Sequence, residues 1–172
     1  MAFVALSAQA QIYGELGHTS TSYKETVLLS SMVTAKSSPT AIRGLIGHDS
    51  NENLALEGMF AFGLSGDDIK VGGFAVPSGR ANIDNVFGIY LKPKTKLSQQ
   101  MELYGRLGFV RAKGTASVGS TSTSGHDNSF SGGLGLSYLM NQKMSFNADY
   151  MQYLNKDGVK LNGFTVGVGF KF

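Results

Sequence analysis

The final nine residues constrain the fold most, because large apolar side chains alternate strictly with small or polar ones. Every second position is apolar, with Thr, Gly, Gly and Lys between, and the apolar positions are Phe164, Val166, Val168, Phe170 and Phe172. Successive side chains of a β-strand point to opposite faces, so this segment is predicted to be a strand with one apolar face. A face turned to bulk water is usually rich in charged residues, whereas small residues suit a narrow lumen. The pattern therefore predicts a membrane-crossing barrel strand with its apolar face in lipid; a central strand of a soluble all-β domain is the alternative.

Composition excludes several other classes of protein. The 172 residues contain no apolar run of the roughly 18 residues needed for a transmembrane helix, which leaves a closed barrel as the way to cross a membrane. Gly is abundant, with 23 residues, which favours crowded β-structure over helix. The absence of Cys excludes disulfides, thiolate metal sites and cysteine nucleophiles. A net charge of +3, with scattered Lys and Arg, gives no support for nucleic-acid binding.

The same alternation recurs between turn-like clusters along the chain. Together with the terminal strand it predicts eight strands, each of roughly the ten residues that cross an outer membrane at a tilt. The seven preceding strands are predicted at about Ile12–Tyr23, Thr40–His48, Asn53–Leu64, Ile83–Lys92, Gln100–Ala112, Ser129–Met140 and Met144–Tyr153. The predicted fold is all-β, an eight-stranded antiparallel up-and-down transmembrane β-barrel.

The predicted connections alternate in length. Residues 24–39, 65–82 and 113–128 form long connections, whereas those around Ser50, Thr95 and Gln142 are short, and the last connection, Leu154 to Gly158, is a short exception. Long external loops and tight periplasmic turns are typical of outer-membrane barrels. An even strand number returns both termini of the chain to the periplasmic side of the membrane.

The first ten residues are predicted to be the remnant of a signal peptide. Ala8-Gln9-Ala10 has the small-residue pattern that precedes a cleavage site, although the apolar stretch is short and no basic segment comes before it. We expect the mature barrel domain to span residues 11–172. An ordinary N-terminal tail is the alternative.

These features resemble a known family. The Ala-x-Ala start, the segment 53–58 that opens a strand after a short turn, and the closing segment 167–172 are similar to the small eight-stranded outer-membrane barrel proteins of Gram-negative bacteria. The resemblance implies location in the cell outer membrane, contact with outer-membrane lipids and lipopolysaccharide, and a monomer without cofactor or nucleic acid. It also implies that the terminal pattern of Phe164, Val166, Val168, Phe170 and Phe172 is the signal read by the barrel-assembly machinery. The chain departs from the family in having no Trp, so the aromatic girdles must come from Tyr and Phe.

Charged side chains on the predicted inner face are the first candidate site. Burying ions in a confined lumen is costly unless they are paired, so we expect a mixed-sign network of Glu15, Arg43, Glu57, Glu102, Arg106 and Asp149. A turn centred near Ser50 predicts that Arg43 lies opposite Glu57. Such a network either fixes the interior or acts as a gate, so a narrow gated pore for small solutes is the alternative to a structural or surface-interaction role.

Two further candidates lie in the external connections. Some small barrels edit lipid A with a His/Ser pair, but Asn128 occupies the position two after His126, and Ser129 falls on the opposite face, so no enzyme is predicted. The Ser/Thr-rich segment Thr115–Asp127 is predicted to be a mobile, solvated loop, either a hydrophilic shield or a contact for host molecules or phage. Lys24, Lys113 and Lys156 are expected at the external rim, where they can meet lipopolysaccharide phosphates.

Overall fold

The computed structural model describes residues 11–29, 31–71, 73–156 and 158–172. The predicted signal-peptide remnant lies outside these residues and stays a prediction. The described residues form one antiparallel sheet of ten strands. Their bounds are β1 Ile12–Leu29, β2 Ser31–Ser37, β3 Thr40–Asn51, β4 Leu54–Ser65, β5 Asp67–Val71, β6 Phe74–Lys96, β7 Met101–Val118, β8 Thr121–Leu139, β9 Met144–Lys156 and β10 Val159–Lys171. Among these residues there is no helix of the length and apolar character required to cross a membrane.

Eight of the strands close into a barrel. The hydrogen-bonded order runs β10, β9, β8, β7, β6, β4, β3, β1, and β1 then pairs with β10. Thirteen residue pairs form this last seam, from Tyr13 opposite Lys171 to Glu25 opposite Val159. All neighbours in the ring are antiparallel, which confirms the predicted eight-stranded up-and-down barrel.

The predicted faces agree with the observed exposure along every barrel strand. Large apolar side chains lie on the outside, such as Phe60, Ile89, Leu134 and Phe164. Their sequence neighbours point inward, as in β4, where buried and exposed residues alternate from Ala55 to Phe62. The period-2 pattern fixed these faces because a one-residue slip would turn every apolar side chain into the lumen.

The long connections are the main difference from the sequence-based prediction. The structure continues β-structure through them instead of forming loops. β2 folds back on the outer half of β1, β5 pairs with β6, and β7 and β8 extend as a hairpin to a turn at Gly119, whose φ is +60°. The prediction of a loop over Thr115–Asp127 is therefore wrong. Its β-branched Thr residues favour strands, and β7 and β8 pair with each other on both sides of the turn at residues 119–120.

The last hairpin is short, as predicted. β9 ends at Lys156 and β10 begins at Val159. The neighbouring β8 begins at Thr121, eleven residues before Gly132, which is its first residue paired with β9. The β7–β8 hairpin therefore rises beyond β9 at the long-hairpin end of the barrel. This unequal height leaves one edge of β8 without a neighbouring strand among the described residues.

Candidate functional site

The candidate site in the barrel interior is built from side chains that alternate inward on six strands. Arg106 on β7 is its centre and has 1% of its surface exposed. Its guanidinium donates to three carboxylates, at 2.5 Å to Glu57, 2.7 Å to Asp149 and 2.8 Å to Glu15. Because a guanidinium presents several donors in a fixed plane, one Arg can hold acids from three different strands.

Two further cations complete this network. Arg43 on β3 forms a bidentate pair with Asp149, with N–O distances of 2.5 and 2.7 Å. Lys92 on β6 lies 2.9 Å from Glu15 and 3.1 Å from Glu57. The three cations Arg43, Lys92 and Arg106 therefore balance the three anions Glu15, Glu57 and Asp149. Buried ions are tolerated only when paired in this way, because isolated charges lose their hydration.

Tyrosines supply additional donors around the carboxylates. The Tyr13 hydroxyl donates to Glu57 at 2.6 Å, and the Tyr104 hydroxyl donates to Asp149 at 3.2 Å. A Cβ added at Gly47 would collide with the Tyr13 ring, and one at Gly135 would collide with the Tyr104 ring. The glycines of the inner face therefore make room for aromatic rings that reach the ion pairs.

The structure corrects the predicted pairing in the lumen. Arg43 lies opposite Ala61, and Glu57 lies opposite Gly47, so the predicted Arg43–Glu57 pair is wrong. The β3–β4 turn falls at residues 52–53 rather than at Ser50. The register between the two strands is therefore shifted, and Glu57 does not lie opposite Arg43. Glu102 is buried but has no ion pair in the described part of the chain; it lines a small cavity at the short-turn end with Glu15 and Lys92.

Sequence reasoning missed Lys92 as a member of the network. It is the last residue of a predicted strand and follows the inward Tyr90 by two positions. Because alternate residues of a strand share a face, this spacing could have predicted that Lys92 also points inward. The alternation of side chains also turns Tyr13 and Tyr104 inward, but their carboxylate partners, Glu57 and Asp149, come from other strands and could not be read from it. The predicted assembly signal faces the lipid side, and its recognition role stays a prediction.

An apolar layer lies above the network, toward the long-hairpin end. Met59, Val86, Val110 and Met151 are each 4% exposed or less and pack together in the lumen. Tyr153 joins the two layers, because its ring lies in the apolar cluster and its hydroxyl accepts from Arg43 at 3.2 Å. Charged and apolar side chains thus fill the bore at successive levels.

The external mouth above this layer contains a cavity of about 310 Å³. Leu154 and Leu161 are part of its lining, and Glu25 and Asp127 approach it from β1 and β8. The Tyr23 hydroxyl donates to Glu25 at 2.9 Å. Burial, with this hydrogen bond and the negative charges of Glu25 and Asp127, raises the pKa of Tyr23.

The outer surface of the long-hairpin end carries a row of lysines, which we call the lysine row: Lys70, Lys36, Lys24 and Lys160. Lys70 is directly opposite Lys36, Lys36 is opposite Lys24, and Lys24 is opposite Lys160. All four are exposed, and no acidic side chain of the described residues forms an ion pair with them. Directly opposed like charges destabilise a sheet, so this arrangement has a cost that the protein itself does not offset.

The candidate His/Ser pair is not assembled. His126 and Ser129 project from opposite faces of β8, with Lys113 and Val110 as their respective partners on β7. No group of three potential metal ligands is present in the described ranges.

Comparison with known proteins decides the family. The model of the outer membrane protein beta-barrel domain matches residues 1–172. The chain belongs to this family. It is therefore an integral β-barrel protein of the cell outer membrane, and its short turns and long hairpins correspond to the periplasmic and external ends.

Two of the similar proteins are named attachment invasion locus proteins. The chain is 26% identical over 125 residues to the attachment invasion locus protein of Yersinia enterocolitica, covering 73% of this chain and 68% of the relative. The structure of Ail, the attachment invasion locus protein of Yersinia pestis, in complex with the heparin analogue sucrose octasulfate matches with a TM-score of 0.65 and 20% identity over 95% of this chain and 99% of Ail. Neisserial surface protein A matches with a TM-score of 0.66 and 12% identity over 94% of this chain and 97% of that chain. At these identities the structural likenesses show the fold.

Proposed function

We propose that this outer-membrane barrel is a surface-interaction protein that binds sulfated or phosphorylated glycans through the lysine row. The observation that carries the proposal is the register of four exposed lysines on four adjacent strands, without acidic partners in the described residues. Neighbouring strands are about 4.8 Å apart, so the row extends over roughly 14 Å. An extended polyanion can meet several such cations together, and its charge would offset their mutual repulsion.

The position of the row supports a glycan partner. On β10 the last large apolar side chain on the lipid face is Phe164, and Lys160 follows four residues further out. This separation is about 13 Å along the strand, which places the ammonium groups beyond the hydrocarbon and at the level of headgroups and sugars. The complex of Ail with a heparin analogue is consistent with polyanion binding by a barrel of this shape.

A pore and an enzyme receive less support. The lumen contains the ion-pair network and the apolar layer, and both consist of side chains with little exposure. The His126–Ser129 geometry offers no base and nucleophile within reach. We therefore propose no transport and no catalysis.

The test measures sucrose octasulfate binding to the barrel in nanodiscs of neutral phospholipid. We expect Lys24→Gln with Lys160→Gln to weaken binding by about tenfold, since each exposed charge contributes roughly 0.5–1 kcal/mol. Lys96→Gln with Lys143→Gln, at the periplasmic end, is the matched control and should leave binding unchanged. Equal affinity of the two double variants would contradict the proposal.

A second arm separates the two sources of anionic sugar. Nanodiscs containing lipopolysaccharide are compared with those of neutral phospholipid alone. If lipopolysaccharide of the same membrane occupies the row, it will reduce sucrose octasulfate binding to the original protein and will not affect the Lys24→Gln/Lys160→Gln variant further. If binding is the same in both nanodiscs, the row is available to glycans from outside the cell.

A further inference from the structure

The buried charges of the lumen are unequal in number once Glu102 is counted. Three cations and three anions pair with one another in the network around Arg106. Glu102 on β7 is a fourth buried anion, with 9% of its surface exposed, and it forms no hydrogen bond or ion pair among the described residues. A buried carboxylate without a counter-charge is costly. The lumen of the described chain therefore contains one negative charge in excess.

The lysines on the neighbouring strand β6 do not neutralise this charge. Lys92 is paired within the network, and Lys94 lies 2.8 Å from Asp49. Lys96 is directly opposite Glu102 in the register of β6 and β7, but its side chain is exposed and makes no ion pair with it. The counter-charge of Glu102 is thus absent from this part of the described structure.

A second buried polar side chain of the same region has no partner. Asn147 on β9 is 6% exposed, and neither its Oδ1 nor its Nδ2 atom has a hydrogen-bond partner among the described residues. Asn147 is opposite Ser137 on β8, and Ser137 is opposite Glu102 on β7. All three are buried, inward-facing residues. They form a line of polar groups across three adjacent strands, and an unpaired amide in such a place is itself costly.

A small cavity of about 30 Å³ lies beside this line, at the short-turn end of the barrel. Glu102, Ser137, Ser145 and Gly169 are part of its lining. A Cβ added at Gly169 would lie 2.6 Å from the Ser145 Oγ and 2.9 Å from the Asn147 Nδ2. The hydroxyl and the amide therefore meet over the same glycine, at the wall of the cavity. A space of this size holds one particle about as large as a water molecule.

The oxygen atoms around the cavity are ligands that suit a hard cation. A carboxylate, an amide carbonyl and two hydroxyls can supply them, and no His or Cys is among the described residues of the lining. Transition metals prefer imidazole and thiolate, whereas hard cations prefer oxygen. Glu15 also lines the cavity, but its two oxygens accept from Lys92 and Arg106. One uncompensated carboxylate matches a cation of unit charge.

We propose that the periplasmic end of the lumen binds one monovalent metal ion, Na⁺, between Glu102, Ser137 and Asn147. The ion supplies the positive charge that the four buried anions require, and it gives the Asn147 carbonyl and the Ser137 hydroxyl a partner. The site lies at the opposite end of the barrel from the lysine row, so it does not depend on glycan binding.

The test measures urea unfolding of the barrel in liposomes of neutral phospholipid, in NaCl and in tetramethylammonium chloride at the same ionic strength. Tetramethylammonium is too large for a cavity of about 30 Å³ but screens surface charges equally. We expect the folding equilibrium constant to rise with Na⁺, by about elevenfold at ten times the Kd, because the ion binds only the folded barrel. Equal unfolding midpoints in the two salts would overturn the proposal.

Variants of the binding residues locate the effect. Glu102→Gln keeps the shape of the side chain without its charge and should abolish the dependence on Na⁺. Asn147→Ala should raise the Kd for Na⁺ by about tenfold through loss of one oxygen ligand, and it provides a second variant if Glu102→Gln does not fold. Glu52→Gln, at an exposed periplasmic turn, is the matched control and should respond to Na⁺ as the original protein does. An unchanged Na⁺ dependence in Glu102→Gln and Asn147→Ala would overturn the assigned site.

Two other ways to neutralise Glu102 give different results. A protonated Glu102 would produce a carboxylic acid infrared band that is present in NaCl and absent from Glu102→Gln, and this band would overturn the proposal. Lys96 or Lys171, turned toward the carboxylate, would prevent binding of the ion. A dependence on Na⁺ that appears only after Lys96→Gln or Lys171→Gln would overturn the proposal in favour of that lysine.

The charge of the ion is tested by replacement of NaCl with CaCl₂ at the same ionic strength. We expect Ca²⁺ to stabilise the original protein less than Na⁺ does, because a divalent ion would leave a positive charge in excess. Stronger stabilisation by Ca²⁺ that is lost in Glu102→Gln would overturn the assignment of a monovalent ion.

Discussion

The lumen and the external rim differ in how their charged side chains are arranged. In the lumen, each of three cations lies within 3.1 Å of at least one of three anions from other strands, and all six side chains are almost completely buried. At the rim, four lysines stand side by side in water with no acidic partner among the described residues. The charges of these six side chains are neutralised within the protein, whereas those of the lysine row would be neutralised only by a bound anion. The comparison teaches that the interior charges fix the barrel and the rim charges are available for binding.

Removal of one interior cation should have the largest effect on the stability of the barrel. Arg106→Met would leave three buried carboxylates with only two cations, Lys92 beside Glu15 and Glu57 and Arg43 beside Asp149, which we expect to lower the free energy of unfolding by about 3–5 kcal/mol. Urea unfolding in liposomes, followed by heat-modifiable gel mobility, measures this loss. Lys143→Met, at an exposed periplasmic turn, is the control. A loss below about 1 kcal/mol, as for exposed pairs, would remove the contrast between lumen and rim.

A charge on the lipid face should have the next largest effect. Phe60→Arg or Leu136→Arg would place a cation in hydrocarbon, with an expected cost of about 2–4 kcal/mol. Ser137→Asp, on the inward face next to Leu136, should perturb the barrel less. The same unfolding assay compares the two faces, and equal costs would undo the assignment of outside and inside.

Reversal of one rim charge should stabilise the barrel slightly. Lys24→Glu would face Lys36 on one side and Lys160 on the other, replacing two like-charge contacts by two opposite-charge contacts. We expect a gain of about 0.2–1 kcal/mol that disappears at high salt, together with weaker sucrose octasulfate binding. A variant that lost stability and binding together would show instead that the row has a structural role.

The conductance of the barrel in planar bilayers should be the property that substitution in the lumen changes least. The filled lumen predicts no channel events for the original protein in planar bilayers. Arg43→Ala should also be silent, because the apolar layer of Met59, Val86, Val110 and Met151 still obstructs the bore. Channel events with the original protein would revive the gated pore, and events confined to Arg43→Ala would show that the ion pairs alone close the lumen.

The sequence predicted the faces of the barrel much better than its contacts. Inward placement of Glu15, Arg43 and Asp149 followed from parity within single strands, because a strand has a period of two whatever its neighbours are. Partner choice depends on register between strands, and a shift of the β3–β4 turn by about two residues was enough to separate Arg43 from Glu57. The same alternation places Lys92 on the inward face, although the predicted strand ended at this residue.

The lysine row could not be predicted in this way. Lys36 and Lys70 lie on β2 and β5, in segments that composition predicted to be loops. Polar Ser/Thr-rich segments satisfy loop criteria as well as strand criteria, and only pairing with extended barrel strands decides between them. The row exists because four strands place lysines at one level, which no single segment of the sequence encodes.

The seam between β1 and β10 has a consequence for how the protein is made. Its thirteen pairs join the earliest barrel strand to the latest, so every other strand can find a neighbour before this contact exists. Until β10 has been synthesised, β1 and β9 each present an unsatisfied border. Without β10 the sheet would be an open ribbon with two unpaired edges, and the pairing of β1 with β10 removes both of them at once.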